Sequence, residues 1–218
     1  MTIASVINLV GGFVMKKFDR LPPEKRKEEI KNAAVGLFIE KGFAATTMEN
    51  IVERISLSKG GLYRIYPSLT AILSDIIIDG MRKRNEWYVE RITEEVKKGE
   101  KITMQFMAEL ICESLLIFPE MSAVYVEFLC EKRRNKDLQN IYPKIVETAI
   151  EETSVLINEF GADEFFAEGR FPFELITDIM DTAILGISIL DLHEPFEKNK
   201  KILSEVIVDI IKRMSIQK

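Results

Sequence analysis

The sequence predicts an all-α protein, in which an N-terminal three-helix helix-turn-helix domain joins a larger helical domain. Apolar residues recur every three or four positions along most of the 218 residues, which is the period of an amphipathic helix. No useful length of sequence alternates apolar and polar residues, and no internal repeat occurs. Two short helical segments near residues 48 and 59 are separated by a brief turn. Together these observations favour helices throughout.

The first helix is predicted from about Glu24 to Lys41. Pro22 and Pro23 mark its start and Gly42 marks its end, because Pro suits a first helical turn and Gly suits a helix C-terminus. One apolar stripe at helical spacing gives it a buried face: Ile30, Ala33, Ala34, Leu37 and Phe38.

The next two helices are predicted from their N-caps. The hydroxyl of Thr47 can accept a free backbone N–H at the start of a second helix, and Ser58 can do the same for a third. Only residues 56–58 separate the two helices, so they must cross steeply. Such a turn is typical of the helix-turn-helix unit, which places its second helix in the major groove of DNA.

The rest of the chain reads as helices. A long fourth helix should follow a cap at Ser68 and run towards Lys98, with Gly99 after it. Further helical stretches are predicted at about 101–117, 120–133, 137–160, 172–192 and 197–215.

The charge is unevenly distributed. Residues 15–67 contain 11 Lys or Arg and 7 Asp or Glu, whereas residues 68–218 contain 19 Lys or Arg and 28 Asp or Glu. A local basic patch on an acidic body suits a protein that binds DNA with one module. The alternative is that the basic residues at positions 25, 26, 27 and 31 only form the solvated face of the first helix.

Composition argues against an enzyme. The single histidine, His193, excludes His-rich metal sites, and no Walker or dinucleotide-binding loop is present. We predict no cofactor, no metal and no catalytic residue. Cys112 and Cys130 lie in apolar helical stretches without CxxC spacing, so we expect two buried free thiols, with a redox sensor or a disulfide as the alternative.

Residues 1–14 carry no charge. The basic residues Lys16 and Lys17 follow this run instead of preceding it, unlike in a signal peptide, and the run is too short for a membrane span. We infer that translation starts at Met15. The predicted organisation is an N-terminal extension at 1–15, a helix-turn-helix domain at 16–67 and a helical effector-binding and dimerisation domain at 68–218, without membrane association.

The segment from Ile30 to Leu73, about a fifth of the chain, resembles the DNA-binding region of the tetracycline-repressor (TetR) family of bacterial regulators. The resemblance implies a homodimer that binds a palindromic operator, together with a small-molecule effector for the larger domain. It rests on these residues: Ala33-Ala34, Leu37-Phe38, Gly42-Phe43, Thr46-Thr47-Met48, Ile51, Ser58-Lys59-Gly60-Gly61-Leu62-Tyr63, Tyr66 and Ser68.

Four positions depart from the family pattern. Ile55-Ser56 replaces the usual Ala-Gly, and Ser tolerates a positive φ less well than Gly, so we expect a strained or shifted turn. Ile65 and Leu69 stand where the family commonly has phosphate-contacting residues. Losing two phosphate contacts should weaken DNA binding and flatten its salt dependence.

Five residues of the third helix are candidate DNA contacts. Lys59 can reach a guanine edge or a phosphate, and Gly60 and Gly61 leave room for the groove. Tyr63 should donate to a phosphate, while the planar guanidinium of Arg64 can read guanine O6 and N7.

The two N-caps are further candidates, and two of the assignments have alternatives. Thr47 and Ser58 can offer hydroxyl or neighbouring N–H groups to phosphate at helix N-termini. Tyr63 could instead pack under the first helix, and Arg64 could instead form a surface ion pair.

A cavity for an effector is predicted in the larger domain, since aromatic and Met side chains suit an adaptable pocket, although they could equally form ordinary core. The candidate lining residues are Trp87, Phe106, Met107, Phe118, Met121, Tyr125 and Phe128. Acidic residues in these apolar runs hint at a cationic ligand: Glu109, Glu113, Glu127, Asp178 and Asp181.

The last two long helices are predicted to form the dimer interface, because in the family the final two helices make a four-helix bundle with their copies. The alternative is that both apolar stripes are used inside one subunit. The predicted interface residues are Leu175, Ile179, Ala183, Gly186, Ile187, Ile207, Ile210 and Ile211, and the stripe on the last helix continues to Met214.

The sequence therefore predicts a cytoplasmic DNA-binding transcriptional regulator, a repressor that a small-molecule effector releases from its operator. The long fourth helix should couple the two domains. The alternative is a helical ligand-binding or interaction module of the same architecture that has lost DNA binding.

Overall fold

The computed structural model describes residues 22–159 and 173–216. The predicted N-terminal extension at 1–15 and residues 161–171, between the helical stretches predicted at 137–160 and 172–192, lie outside these ranges, as does the side chain of Met214.

The described residues are helical and contain no strand, which confirms the all-α prediction. None of these helices is both long and apolar enough to cross a membrane. The helices are α1 (Pro23–Lys41), α2 (Met48–Arg54), α3 (Lys59–Ile65), α4 (Leu69–Lys97), α5 (Met104–Ile117), α6 (Pro119–Lys132), α7 (Lys136–Glu159), α8 (Phe173–Ile189) and α9 (His193–Ile216).

The last helix begins earlier than the sequence predicted. We expected it to start at about residue 197, after Pro195, but α9 begins at His193. Pro195 therefore lies in the first turn, where the missing N–H costs nothing because the first N–H groups of a helix have no intrahelical partner.

Local capping defines the two short helices. The Thr47 hydroxyl accepts from the Asn50 backbone N–H at 3.2 Å, and the Asn50 side chain accepts from the Thr47 backbone N–H at 3.0 Å. The Ser58 hydroxyl accepts from the Gly61 N–H at 3.1 Å. Each cap satisfies backbone donors that a seven-residue helix cannot pair internally.

The turn between α2 and α3 lacks the expected strain. Among the described non-glycine residues, only Asp191 adopts a positive φ. Ser56 therefore avoids the conformation that Gly would supply, and the Leu57 N–H donates to the Ile55 carbonyl at 2.6 Å to close the turn. Of the two alternatives expected, a strained or a shifted turn, the strained one is wrong, because this backbone reverses direction without a left-handed residue.

One hydrophobic core joins the N-terminal unit to the larger domain. Residues of α1, α2 and α3 pack with the first half of α4 and with α6 and α7. Packing is therefore continuous across the predicted domain boundary at residue 67. Fully buried members of this shared core are Ile30, Ile51, Leu62, Ile72, Leu73, Val124, Phe128 and Leu138.

Polar contacts also tie the N-terminal unit to α4. Lys31 on α1 forms ion pairs with Asp79 and, at 3.7 Å, with Asp75. The Tyr66 hydroxyl donates to the same Asp75 carboxylate. These contacts fix the direction in which α4 leaves the helix-turn-helix.

In the larger domain, α9 packs along α5, and α8 contacts α6 and α9. Cys112 of α5 is buried in this packing, and burial raises the pKa of its thiol to about 11. Cys130 is exposed, so the expectation that both thiols are buried was wrong for Cys130. Neither forms a disulfide.

Candidate nucleic-acid interface and effector cavity

Helix α3 presents one face to solvent and the other to the core. Leu62 is fully buried, whereas Lys59, Arg64 and Tyr63 are exposed, Tyr63 to 42%. Since a helix turns once every 3.6 residues, positions 59, 60, 63 and 64 share the outward face. That face carries two positive charges, an aromatic hydroxyl and a glycine, which suits contact with a DNA groove.

The space around Gly60 differs from the space around Gly61. A Cβ added to Gly60 would meet no atom within 4 Å, whereas one added to Gly61 would lie 2.9 Å from Leu57 Cδ1 and 3.1 Å from Ser58 Oγ. Gly61 is therefore constrained by packing inside the protein. Gly60 is not, because a side chain at this position would extend into open space.

Lys59 has a partner in the free protein. Its Nζ lies 2.5 Å from the Glu49 carboxylate and 5.9 Å from the centroid of the Tyr63 ring. The hydrogen bond from Lys59 lowers the pKa of Glu49, and the same contact raises the pKa of Lys59. Both side chains are largely exposed, so solvent screens the pair and a phosphate can compete for the ammonium group.

The structure shows whether Tyr63 packs under α1 and whether Arg64 forms a surface ion pair, the two alternatives to DNA contact. Tyr63 lies on the outward face rather than under α1. Arg64 is exposed, and within the described ranges no acidic side chain pairs with it. Both side chains are thus accessible to a ligand.

The two capping hydroxyls differ in what they can still offer. Thr47 Oγ1 donates to Asn50 Oδ1 at 3.0 Å in addition to accepting from the Asn50 N–H. For Ser58 Oγ the described contacts include only the acceptor role, towards the Gly61 N–H. Ser58 is therefore the better placed of the two to donate to a phosphate.

Other residues near the interface already have partners inside the protein. Arg54 binds Glu40 through two hydrogen bonds of 2.5 and 2.8 Å, and Arg26 pairs with Glu29. Ile65 and Leu69 are partly buried against the shared core. Neither of these two apolar side chains can replace the phosphate contact that its family position commonly provides.

Sequence reasoning missed Glu49 and Asn50. Asn50 could have been found, because it stands three residues after a Thr N-cap, the spacing of a capping box. Glu49 could not, because its pairing with Lys59 depends on the angle at which α2 and α3 cross.

A cavity of about 130 Å³ lies among α4, α5, α6, α7 and α8. Three of the predicted lining residues, Phe118, Met121 and Tyr125, contribute to it. Gly80 of α4 lets the Met121 side chain approach very closely, since a Cβ there would collide with the Met121 methyl group.

Four predicted cavity residues lie elsewhere. Trp87, Phe106 and Met107 pack in a separate cluster around Ile92, where the second half of α4 meets α5. They miss the cavity because only the middle of the 29-residue α4 borders it. Phe128 is fully buried in the shared core, where its ring stacks on Tyr125 with centroids 5.9 Å apart.

Two tyrosines hold an acidic side chain at the cavity. Asp181 accepts from the Tyr125 hydroxyl at 3.0 Å and from the Tyr142 hydroxyl at 3.2 Å. Burial raises the pKa of Asp181, and the two hydrogen bonds and Lys132 oppose that shift. Burial also raises the pKa of Tyr142 to about 12.

The other acidic candidates do not line the cavity. Glu109 accepts from Gln105 at 2.9 Å, and Glu113 lies 3.7 Å from Arg91. Glu127 accepts from the Phe43 backbone N–H at 3.0 Å. Asp178 is exposed on α8.

The predicted dimer stripe is divided between two surfaces. Ile187, Ile207 and Ile211 were predicted to lie in the dimer interface. They are buried inside the subunit and therefore do not lie on its outer surface. They are buried because α5 and α6 cover the inner faces of α8 and α9. Leu175 is exposed, and the remaining members are partly buried: Ile179, Ala183, Gly186 and Ile210.

A different set of apolar residues faces outwards on the same two helices. Among the described residues, six of the ten exposed large apolar side chains lie on α8, on α9 or between them. Such a concentration favours a protein contact at this surface. The six are Leu175, Ile189, Leu190, Leu192, Ile202 and Val206.

The fold and the exposed face of α3 define a helix-turn-helix transcriptional regulator. Residues 30–76 match the family described as bacterial regulatory proteins, tetR family. This match assigns the helix-turn-helix unit and the start of α4 to the tetR family of regulators.

Curated relatives agree with this assignment. The chain is 28% identical to the HTH-type transcriptional regulator YfiR of Bacillus subtilis strain 168 over 145 residues, which are 65% of this chain and 67% of YfiR. It is 41% identical over 49 residues to the HTH-type regulator YerO of the same organism, covering 22% of this chain and 17% of YerO.

Solved structures share the fold. Salmonella enterica GusR aligns over 90% of this chain and 99% of its own, with a TM-score of 0.61 and 19% identity. Bacillus subtilis FadR, a transcriptional regulator crystallised with stearoyl-CoA, aligns over 83% of this chain and 97% of its own, with a TM-score of 0.61 and 16% identity.

Proposed function

We propose that this protein is a repressor that binds a palindromic operator as a homodimer and leaves it when a small molecule fills the cavity. One observation carries the proposal: α4 and α6 each border the cavity and each pack in the core of the helix-turn-helix unit. A molecule in the cavity can therefore bias the position of the recognition helix α3. We expect it to work in the cytoplasm, where bacterial DNA lies.

The outward face of α3 would enter the major groove. Lys59 and Tyr63 would contact phosphates, and Arg64 would read a guanine through O6 and N7. Gly60 and Gly61 would let the backbone approach the groove, and Ser58, with Thr47, would add contacts at helix N-termini.

Dimerisation would come from the outward apolar residues of α8 and α9. Ile202 and Val206 stand one helical turn apart and are 61% and 47% exposed, which supports a helix-to-helix contact between copies. A twofold axis there would present two copies of α3 to successive major-groove faces, about 34–36 Å apart.

Effector control would run through α6 as well as α4. Met121 and Tyr125 of α6 border the cavity, while Val124 and Phe128 pack in the shared core. Glu127 of the same helix binds the Phe43 N–H beyond the end of α1. The FadR structure holds stearoyl-CoA, which supports the idea that this architecture accommodates a ligand.

The first test is a fluorescence-anisotropy titration against the DNA immediately upstream of the gene, at two salt concentrations, with a scrambled duplex as control. A repressor should prefer the upstream DNA and lose affinity steeply with salt, because binding releases counterions. Equal, weak binding to both duplexes would instead favour a helical ligand-binding module without an operator.

Two substitutions test the interface. Lys59→Ala and Tyr63→Ala should each lower operator affinity roughly five- to tenfold, and Lys59→Ala should reduce the salt slope by about 1. Lys97→Ala, at the far end of α4, is the matched control and should bind as wild type. Unchanged affinity in both α3 variants, with the dimer intact, would refute this placement of the interface.

A further inference from the structure

Two charged side chains border the otherwise mainly apolar cavity, Arg84 from α4 and Asp181 from α8. The charge of a ligand's head group should be opposite to that of the cavity side chain that has no partner in the protein. The two groups differ sharply in this respect.

Protein groups already compensate Asp181. Its Oδ1 accepts from Tyr125 at 3.0 Å and its Oδ2 from Tyr142 at 3.2 Å. Lys132, whose Nζ lies 3.2 Å from the centroid of the Tyr142 ring, adds a favourable charge. Both carboxylate oxygens are therefore satisfied without a ligand.

Arg84 is not compensated in the same way. Its Nε is buried and has no hydrogen-bond partner, and no acidic side chain in the described ranges forms an ion pair with it. A buried donor without an acceptor is costly, and charged donors are the costliest. A molecule in the cavity can therefore supply the hydrogen-bond acceptor that the protein does not provide for the Arg84 guanidinium.

We propose that the effector is a compact apolar molecule with a carboxylate head group, and that Arg84 binds this carboxylate. The inference rests on the proposed function, and it reverses the sequence-based expectation of a cationic ligand. The cavity volume of about 130 Å³ is close to that of an apolar cavity that binds a single benzene ring, about 150 Å³.

The test compares three probes that share one phenyl-ethyl skeleton: phenylacetate, 2-phenylethanol and 2-phenylethylamine. Each is titrated calorimetrically into wild-type protein at concentrations up to about 10 mM, since ligands this small bind weakly. Phenylacetate should bind about 10- to 100-fold more tightly than the alcohol, the ratio expected for a charge-assisted hydrogen bond, and the amine should bind least.

A pair of variants locates the head group. Arg84→Met keeps an unbranched apolar stem but removes the guanidinium and its charge, and should abolish the preference for phenylacetate over 2-phenylethanol. Lys83→Met, at the neighbouring exposed position, removes the same charge and should keep the preference. Arg84→Met should melt at the wild-type temperature or above, because it removes a buried N–H donor that has no acceptor. Arg84→Gln provides a second neutral variant.

Three results would overturn the proposal: equal or tighter binding of the alcohol or the amine, no binding of any probe, or an unchanged preference in both Arg84 variants. Anisotropy with upstream DNA and no probe separates these results from failure of the proposed function. Operator binding with the wrong probe preference rejects only the ligand class, whereas absence of operator binding rejects the repressor.

Discussion

The Glu49 carboxylate would compete with a phosphate for the Lys59 ammonium. The Glu49 carboxylate stands 2.5 Å from that ammonium on the exposed side of the helix-turn-helix. Glu49→Gln should therefore tighten operator binding, about two- to fivefold, because the competing acid is lost and exposed pairs are weak. Anisotropy at several salt concentrations measures both the affinity and its salt slope.

Removing any acid from the N-terminal unit also makes its field more positive. Glu53→Gln, on the same short helix, is the control for this general effect. A larger gain for Glu49→Gln than for Glu53→Gln would support local competition for Lys59. Equal gains would mean that only the net charge of the unit matters.

Gly60 and Gly61 form a natural matched pair. Gly60→Ala meets no neighbouring atom, so the helix propensity of Ala should stabilise the protein by about 0.5–1 kcal/mol. The same methyl group should lower operator affinity severalfold, because it stands on the face that approaches DNA. Thermal unfolding and anisotropy would measure the two opposite effects.

Gly61→Ala should behave differently. Its Cβ would lie 2.9 Å from Leu57 Cδ1, so this variant should lose stability through overpacking. If Gly60→Ala bound DNA as well as wild type, α3 would not approach the groove along this face.

Helices α1 to α4 could be predicted because their signals are local. Thr47, Ser58 and Ser68 cap the helices that follow them, as expected from hydroxyl residues ahead of apolar periodicity. The start of α9 was predicted too late because a Pro such as Pro195 is common both in linkers and in the first turn of a helix. Only the packing of α9 on α5 distinguishes them.

The cavity and the outer surface were less predictable, since both depend on which helix covers which face. Both Trp87 and Met121 were predicted from the sequence to line the cavity. Met121 does border it, whereas Trp87 lies on α4 two turns beyond Gly80 and packs in a separate cluster. Likewise Ile207 is buried under α5 while Val206 beside it is exposed. A helical period shows that a helix has an apolar face but not what packs against that face.

Helix α6 connects the cavity wall to the helix-turn-helix through Glu127. Replacing Glu127 with Ala would leave the Phe43 N–H without its acceptor and should cost about 1–2 kcal/mol of stability. Amide hydrogen exchange in residues 42–46 should speed up, because this contact fastens the end of α1 to α6. Hydrogen-exchange mass spectrometry on the full protein would detect the change.

Glu131→Ala, one turn further along α6, removes the same charge and is the control for Glu127→Ala. It should leave exchange in residues 42–46 unchanged. If Glu127→Ala also left that exchange unchanged, α4 alone would have to transmit the state of the cavity.

The proposed binding to a palindromic operator needs two recognition helices on one duplex, which a single copy of the chain cannot supply. We expect the outward residues of α8 and α9 to hold the copies together, so Ile202→Asp combined with Val206→Asp should give a monomer in light scattering. Each Asp would have to be desolvated in the contact, which is costly for a charge without a partner. Val96→Asp, at an equally exposed apolar position on α4, should leave the dimer intact.

Loss of the dimer should weaken operator binding far more than loss of any single contact, because a second half-site then adds no affinity. The same geometry predicts a strict spacing: inserting about 5 base pairs between the operator half-sites turns one of them to the opposite side of the duplex. Wild-type protein should then bind the altered operator no more tightly than the monomeric variant binds the original. Tight binding by the monomeric variant, or tolerance of the insertion by wild type, would mean that a single helix-turn-helix unit suffices for recognition.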